Sequence, residues 1–429
     1  MCLVKKGRFV RPFSSLFKLF GFLGLVLHVT SIVGQIQELG IGDFGLDFRA
    51  LYSVYDSGFA SVDIWESKTP DTAHVSFQGV DFQQLQAAET GQHATDVLGV
   101  LCAHSELNCH VRGWLDGPVI QNHPQSGSAM IEHISSELSV HQHRLHSISH
   151  SFSSSEATLA LNQGLFSNPS HLVLMASGNS ANRWSQMANM HKNPLVIGNV
   201  GAGGSSSTST SLGPTSDGRL KPDLVALGSG RWLPLMGGGW HVASGTSFST
   251  PWTLGAWAYL TAGQQNPIPG DVAKAVLILN ALDLGVQGPD YRFGHGAVDA
   301  PTLASFLGSL SNSCNRVGWV VGELTDEGDV FEIALPSLGS ALNATMAWFD
   351  PGTGQSVQVD YDLRVVSGDS VHLPWTLDAE PFLGDQFNLA LDTVHVPFRG
   401  DNDVDNVESI TDASCPFDSV SIRVSVKPG

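Results

Sequence analysis

Basic residues are scarce in this chain of 429 residues: 21 Lys and Arg stand against 40 Asp and Glu, which leaves a net charge of −19. This balance excludes the basic face that nucleic-acid-binding proteins need, so we expect no nucleic acid among its partners. Charged residues of either sign make up only 14% of the chain, whereas apolar residues make up 42%. Disorder is excluded as well, because disordered chains are rich in charge and poor in apolar residues. The length suffices for two or three domains.

The chain also lacks an apolar run long enough to be an evident membrane span. Its most apolar stretch, residues 19–34, is short against the roughly 20 residues that cross a bilayer. Residues 1–34 contain five cations and no acid, and the small residues Ser31 and Gly34 end the stretch. This order is typical of a secretory signal. We therefore predict a signal peptide at residues 1–34 and a secreted (extracellular or periplasmic) protein. Retention of the segment as a membrane anchor is the alternative.

Cysteine is rare, with five residues in the whole chain, and Cys2 falls within the predicted signal. Four cysteines outside the cytosol most simply form two disulfides. The spacing favours Cys102–Cys109 and Cys314–Cys415. A metal site is the alternative for the first pair, because His104 and His110 lie among its cysteines, although the spacing fits no common zinc pattern.

Two patterns divide the rest of the chain. Between residues 35 and 310, short apolar runs alternate with helical stretches, which predicts an α/β domain of three layers around a parallel sheet. In residues 314–429 apolar residues recur at every second position, for example from Val357 to Val365, with turn residues between the runs. This periodicity predicts an antiparallel β-sandwich of jelly-roll type. The second domain holds 19 acidic and 5 basic residues, a net charge of −14.

The most specific motif is Gly-Thr-Ser-Phe-Ser-Thr-Pro at residues 245–251, followed by an apolar helical stretch. The small residues permit a tight turn that places Ser247 at a helix N-terminus, where the helix dipole favours a developing anion. We expect Pro251 in the first turn, where its missing N–H does no harm. A serine or threonine that only caps a buried helix is the alternative.

This motif resembles that of the subtilisin-like serine peptidases, the subtilases, and three other blocks follow the order of that family. The histidine block reads Gly-Gln-His-Ala-Thr-Asp-Val-Leu-Gly and contains His93, with Ala94 where the family usually has glycine. A buried strand at residues 172–176 leads to Asn179. The aspartate block reads Tyr-Asp-Ser-Gly and contains Asp56; Asp63 is the fallback. Family-like sequence spans about residues 45–305.

The resemblance implies a secreted serine endopeptidase that acts on protein or peptide substrates and needs no cofactor for its chemistry. Ser247 would be the nucleophile, His93 the general base and Asp56 the group that orients it. Asn179 would hold the oxyanion together with the Ser247 N–H. A further segment resembles the strand of the family that pairs with extended substrates; its residues are Ser151, Phe152 and Ser153.

An acidic run at residues 401–408 predicts a structural Ca²⁺ site with Asp401, Asp403 and Asp405 as ligands. A solvated acidic loop is the alternative, and the run lacks the pattern of an EF-hand. The histidines between 141 and 150 fit a surface helix that leads into a strand better than a metal site.

A second function remains open: a catalytically silent protein of this fold that binds a partner through its acidic β-domain. We expect a monomer, with membrane contact only if residues 1–34 are retained.

Overall fold

The structure is a computed structural model. It describes residues 21–29, 62–77, 81–84, 88–102, 119–124, 128–140, 145–150, 155–180, 190–205, 207–261, 267–310, 317–324, 326–335, 341–354, 356–378, 396–414 and 420–427. Both predicted disulfides include cysteines outside these residues, so the pairings stay predictions. His104 and His110 also lie outside the described residues.

The strands and helices are numbered in chain order. The strands are β1 (Gly21–Val29), β2 (Val62–Glu66), β3 (Asp81–Gln84), β4 (Val119–Pro124), β5 (Leu145–Ile148), β6 (Leu172–Ala176), β7 (Leu195–Val200), β8 (Leu224–Leu227), β9 (Arg231–Pro234), β10 (Trp240–Ala243), β11 (Val317–Leu324), β12 (Val330–Leu335), β13 (Ala341–Phe349), β14 (Tyr361–Ser367), β15 (Ser370–His372), β16 (Trp375–Thr376), β17 (Phe398–Arg399), β18 (Val407–Ser414) and β19 (Val420–Val426). The helices are α1 (Gln92–Cys102), α2 (Ser128–Val140), α3 (Ser155–Ser167), α4 (Thr246–Thr261), α5 (Gly270–Leu279) and α6 (Ala300–Ser309).

Seven parallel strands form the first sheet, in the order β3-β4-β2-β5-β6-β7-β8. Both faces of the sheet are buried. Since successive side chains of a strand point to opposite faces, each strand contributes to the core on both sides. In β6, Leu174 packs with α1 and α4, whereas Val173 packs with α2 and α3 on the other side. This arrangement confirms the predicted three-layer α/β domain. The carboxyl ends of the strands meet at one edge, where ligands bind in parallel α/β sheets.

The C-terminal part, together with β1, forms two four-stranded antiparallel sheets, in the orders β11-β1-β13-β18 and β12-β19-β14-β15, and the short strands β16 and β17 form a further pair. Their inner faces form one apolar core, because alternate residues of each strand point inward. Trp348 on β13 packs edge-on against Tyr361 on β14, with the ring centroids 5.2 Å apart. The predicted antiparallel β domain is thereby confirmed.

The strand β1 lies within the apolar run that predicts a signal peptide. It pairs with β11 on one side and with β13 on the other, with Phe22 opposite both Glu323 and Phe349. Cleavage near Gly34 would therefore take an interior strand out of this sheet.

None of the described helices is long and apolar enough to cross a membrane.

Buried polar contacts join the α/β domain to the sandwich. Lys192 Nζ lies 2.5 Å from Asp350 Oδ2, and both side chains are fully buried. Asn193 donates to the carbonyl of Asp350 and accepts from its N–H, both at 2.8 Å. The Asn406 amide donates to Asn193 and to the Trp348 carbonyl. A mismatch between the two domains would leave these groups unsatisfied, so the contacts fix the relative position of the domains.

Candidate active site

Ser247 is the second residue of α4, at the carboxyl edge of the parallel sheet. A serine at this position has no carbonyl four residues earlier in the helix, so its N–H points out of the helix end. The described side chains of α4 are almost all buried, which holds the helix in the centre of the domain. Phe248 places its ring 6.2 Å from the ring of His93, so the histidine of α1 lies beside the nucleophile end of α4.

Pro251 is the sixth residue of α4 and lies in the second turn, not in the first turn that the sequence predicts. At that position proline withholds the N–H that would bond the carbonyl four residues earlier, which belongs to Ser247. The hydroxyl of Ser149 donates to this carbonyl instead, at 3.0 Å. Ser149 follows β5, so the end of this strand supplies the hydrogen bond that the proline removes.

Asn179 follows β6, and its side chain is fixed by the start of α4. Its Oδ1 accepts from the N–H of Thr246 at 3.0 Å and from the Thr246 hydroxyl at 3.2 Å. A backbone N–H can bond only to the oxygen of the amide, so these contacts determine which end of the side chain is the acceptor. The NH₂ group remains the donor. Gly178 provides the turn into this position with φ of 107°, a conformation that favours glycine.

His93 is the second residue of α1, and its Nδ1 lies 2.7 Å from Oε2 of Glu66. The Glu66 side chain is 1% exposed, whereas that of His93 is 45% exposed. Burial opposes a charged imidazole, but the hydrogen bond and charge of Glu66 outweigh this effect, and Asp96 adds to them. The pKa of His93 is consequently raised above its ordinary value of 6.5.

The carboxylate that the structure describes at His93 is Glu66. The predicted Asp56 lies outside the described residues and stays a prediction. The parity of β2 explains why Glu66, and not Asp63, meets His93. Val62, Ile64 and Glu66 share the face that packs on α1. The fallback residue Asp63 points to the opposite face and lies 3.2 Å from the buried His146. The strand β2 leads through Asp63 but carries its side chain away from His93.

A second imidazole lies close to the same carboxylate. His150 Nε2 is 3.8 Å from Glu66 Oε2, and the rings of His150 and His93 are 6.2 Å apart. Burial lowers the pKa of His150, and the nearby His93 lowers it further, whereas Glu66 raises it. Two imidazoles beside one carboxylate cannot both hold a proton without mutual repulsion. In the sequence, His150 stands out only as the last of the histidines between 141 and 150, and no motif marks Glu66.

The hairpin β9–β10 packs on α1 next to His93. Gln92 donates to the carbonyl of Pro234 and accepts from the N–H of Met236. Asp96 on the next turn accepts from His241 at 2.7 Å. Gly99 lets the hairpin approach, because a Cβ at this position would lie 2.5 Å from Cδ of Pro234. Gly99, the second glycine of the histidine block, thus has a packing role six residues after His93.

Two predicted sets of residues have different outcomes. Ser151, Phe152 and Ser153 lie outside the described residues, directly after His150. The predicted calcium ligands do not converge. Asp401 and Asp403 both contact the Lys427 ammonium group, whereas Asp405 accepts from the N–H of Leu220.

A serine at a buried helix end, with an imidazole–carboxylate pair and a side-chain amide beside it, is typical of serine peptidases. A family model described as the subtilase family matches residues 52–296, more than half of the chain. The chain belongs to the subtilase family and has its serine-protease fold.

Solved structures of similar fold include the PatG macrocyclase in complex with peptide (TM-score 0.52, 15% identity, 63% of this chain and 99% of that chain). Others are the prenylagaramide maturation protease PagA (0.50, 18%, 61% and 98%) and the self-cleaved protease domain of PatA (0.48, 20%, 58% and 97%). At these identities the similarity to the first two structures shows the fold alone. A comparison with curated proteins found no match.

Proposed function

We propose that the chain is a serine endopeptidase whose catalytic triad is Ser247, His93 and Glu66. Ser247 Oγ attacks the carbonyl carbon of a peptide bond while His93 Nε2 takes its proton. The resulting oxyanion accepts hydrogen bonds from the Asn179 side chain and the Ser247 N–H. His93 then gives the proton to the leaving amine, and water releases the acyl group from Ser247 by the same steps in reverse order.

The hydrogen bond between Glu66 and His93 carries this proposal. A carboxylate at Nδ1 keeps the proton on that nitrogen, so Nε2 is free to act as a base, and it stabilises the imidazolium that forms next. Glutamate is one methylene longer than the aspartate usual in the family. The buried position of Glu66 at the last residue of β2 keeps the longer side chain in a single direction.

Peptide binding is proposed for the segment 151–153, which follows β5. Support comes from Ser149, two residues before the segment, whose hydroxyl donates to the carbonyl of Ser247. An extended substrate can pair with free backbone beyond the end of a strand, and its side chains would then enter adjacent pockets. The chemistry of all four proposed groups needs no metal or cofactor.

The test is labelling of the purified full chain with a fluorophosphonate, followed by mapping of the modified peptide. We expect the label on Ser247. The variants Ser247→Ala and His93→Ala should abolish it, whereas Ser216→Ala, which removes an exposed serine of the same domain, should label as the parent does. The parent and Ser216→Ala should also hydrolyse casein, whereas Ser247→Ala and His93→Ala should not.

The variant Glu66→Gln tests the third member of the triad. We expect a fall in kcat on the order of 10⁴-fold, because an amide at Nδ1 no longer favours the productive tautomer. Glu66→Asp, which keeps the charge, should retain more activity than Glu66→Gln. Absence of label on folded parent protein would favour the silent, partner-binding alternative instead.

Export is a further proposal, supported by the cations of residues 1–34 and by the four cysteines outside them. Its test is the N-terminal sequence of protein recovered from the culture medium of an expressing host. A new N-terminus near residue 35 would support cleavage, whereas intact protein confined to the cells would argue against export.

A further inference from the structure

Three carboxylates of the sandwich meet at one point although they come from separate parts of the chain. Asp362 lies on β14, Glu408 on β18, and Asp401 in the segment that precedes β18. One oxygen from each lies within 4.8 Å of the others. Two oxygens bound to the same Ca²⁺ at about 2.4 Å can be at most about 4.8 Å apart. The spacing therefore matches a shared cation without movement of the backbone.

The most deeply buried member of this group has an oxygen without a hydrogen-bond donor among the described residues. Glu408 is fully buried. Its Oε2 accepts from the N–H of Leu363, whereas Oε1 has no donor among the residues that the structure describes. Asp362, 7% exposed, likewise has one oxygen without a donor within the described part of the chain. A buried carboxylate oxygen without a donor is costly, so these atoms favour a positive ligand at this point.

The surrounding charges leave the group negative. Two further acids lie close by, Asp360 and Asp403, and both contact Lys427. Among the residues that the structure describes, two cations contact these five acids: Lys427, and Arg364 at 3.4 Å from Asp362. Burial raises the pKa of Glu408 well above its ordinary value, and the neighbouring acids add to the effect. The formal sum of five acids and two bases is −3.

We propose that Asp362, Asp401 and Glu408 bind one Ca²⁺ ion. Three carboxylates offer up to six oxygens, which suits the six to eight oxygen ligands of Ca²⁺ better than the strict octahedron of Mg²⁺. This set shares only Asp401 with the ligands predicted from the sequence. The proposal is independent of the proposed peptidase activity.

The position of the ion defines its effect on the fold. Asp362 belongs to one sheet of the sandwich and Glu408 to the other, so a shared cation would link the two sheets and stabilise their packing. Asp401 begins the loop that continues to Asp405 and Asn406, which bond Leu220 and Asn193 of the α/β domain. Calcium would thereby also order the loop that joins the sandwich to the rest of the protein.

The test measures Ca²⁺ binding to the full chain by isothermal titration, together with the thermal midpoint in CaCl₂ and in EDTA. We expect a single Ca²⁺ per chain and a higher midpoint with calcium. Asp401→Asn should weaken binding by ~10-fold or more, since it removes a charged ligand. Asp401 is exposed, so this variant should fold.

Asp403→Asn is the matched control, because it removes an equal charge two residues away and also contacts Lys427. It should keep the parent affinity within about two-fold. Glu408→Gln should lose the calcium-dependent rise in the thermal midpoint. The proposal is overturned if the parent binds no calcium, or if Asp403→Asn weakens binding as much as Asp401→Asn does.

Discussion

The hydroxyl of Ser149 donates a hydrogen bond to the carbonyl oxygen of Ser247, across 98 positions of sequence. The bond exists because Pro251 has no N–H to offer that carbonyl. Removal of the hydroxyl would leave a buried acceptor unsatisfied at the residue that we propose as nucleophile.

Ser149→Ala should therefore lower the free energy of unfolding by about 1–3 kcal/mol. Pro251→Ala supplies an N–H at the position that bonds the Ser247 carbonyl in a regular helix. We expect the double variant Ser149→Ala/Pro251→Ala to regain most of the loss in urea denaturation. Additive losses in the double variant would show that the hydroxyl and the proline do not act on the same carbonyl.

The pH profile of kcat/KM should show an acid limb that reports the protonation of His93. Activity requires the neutral imidazole, and the raised pKa of His93 places the midpoint of this limb above 6.5. Glu66→Gln removes the hydrogen bond and the charge that raise the pKa, so the midpoint should move to lower pH while kcat falls.

Asp96→Asn serves as the control for that profile. Asp96 raises the pKa of His93 through its charge alone, so this variant should move the midpoint in the same direction by less and leave kcat near the parent value. An acid limb that stays in place in Glu66→Gln would rule out the control of His93 by Glu66.

Lys192→Met should destabilise the protein by about 3–5 kcal/mol, because Asp350 would remain as a buried charge without its partner. Lys68→Met is the matched control. Lys68 lies 3.1 Å from Glu89 at the surface, and an exposed pair contributes at most about 1 kcal/mol. Urea denaturation of both variants measures the difference. Equal losses would contradict the importance of the buried contact between the domains.

Two shortened chains distinguish a signal peptide from a structural strand. A chain of residues 21–429 keeps β1, whereas a chain of residues 35–429 lacks it. If β1 is integral to the sheet, the shorter chain should melt several degrees lower, since β11 and β13 lose the strand between them. Equal melting temperatures would mean that the sheet does not need β1, and removal of residues 1–34 would be harmless to the fold.

Much of the candidate site could be predicted from the sequence, because three of its blocks are local. The helix that carries His93, the turn that carries Asn179 and the motif around Ser247 each place chemistry and backbone geometry in a few adjacent residues. Both domain types were also predictable, since the period of the apolar residues differs between them.

Glu66 was not predictable in the same way. The contact of Glu66 with His93 depends on which strand lies in the centre of the sheet and which of its faces meets α1. Those are properties of the strand pairing. The proposed calcium ligands could not be predicted from the sequence either, because Asp362 and Glu408 come from different sheets and no single run of sequence contains both.

The buried pairing of Lys192 with Asp350 has a consequence for how the molecule loses its structure. Two domains joined by a flexible tether melt separately, each at its own temperature. Here a charge in the core of one domain has its counter-ion in the other, so neither domain can open while the other remains intact without exposing an unmatched ion. The protein should behave as a single cooperative block with one calorimetric transition, and the sandwich is best regarded as part of the peptidase scaffold and not as an accessory module.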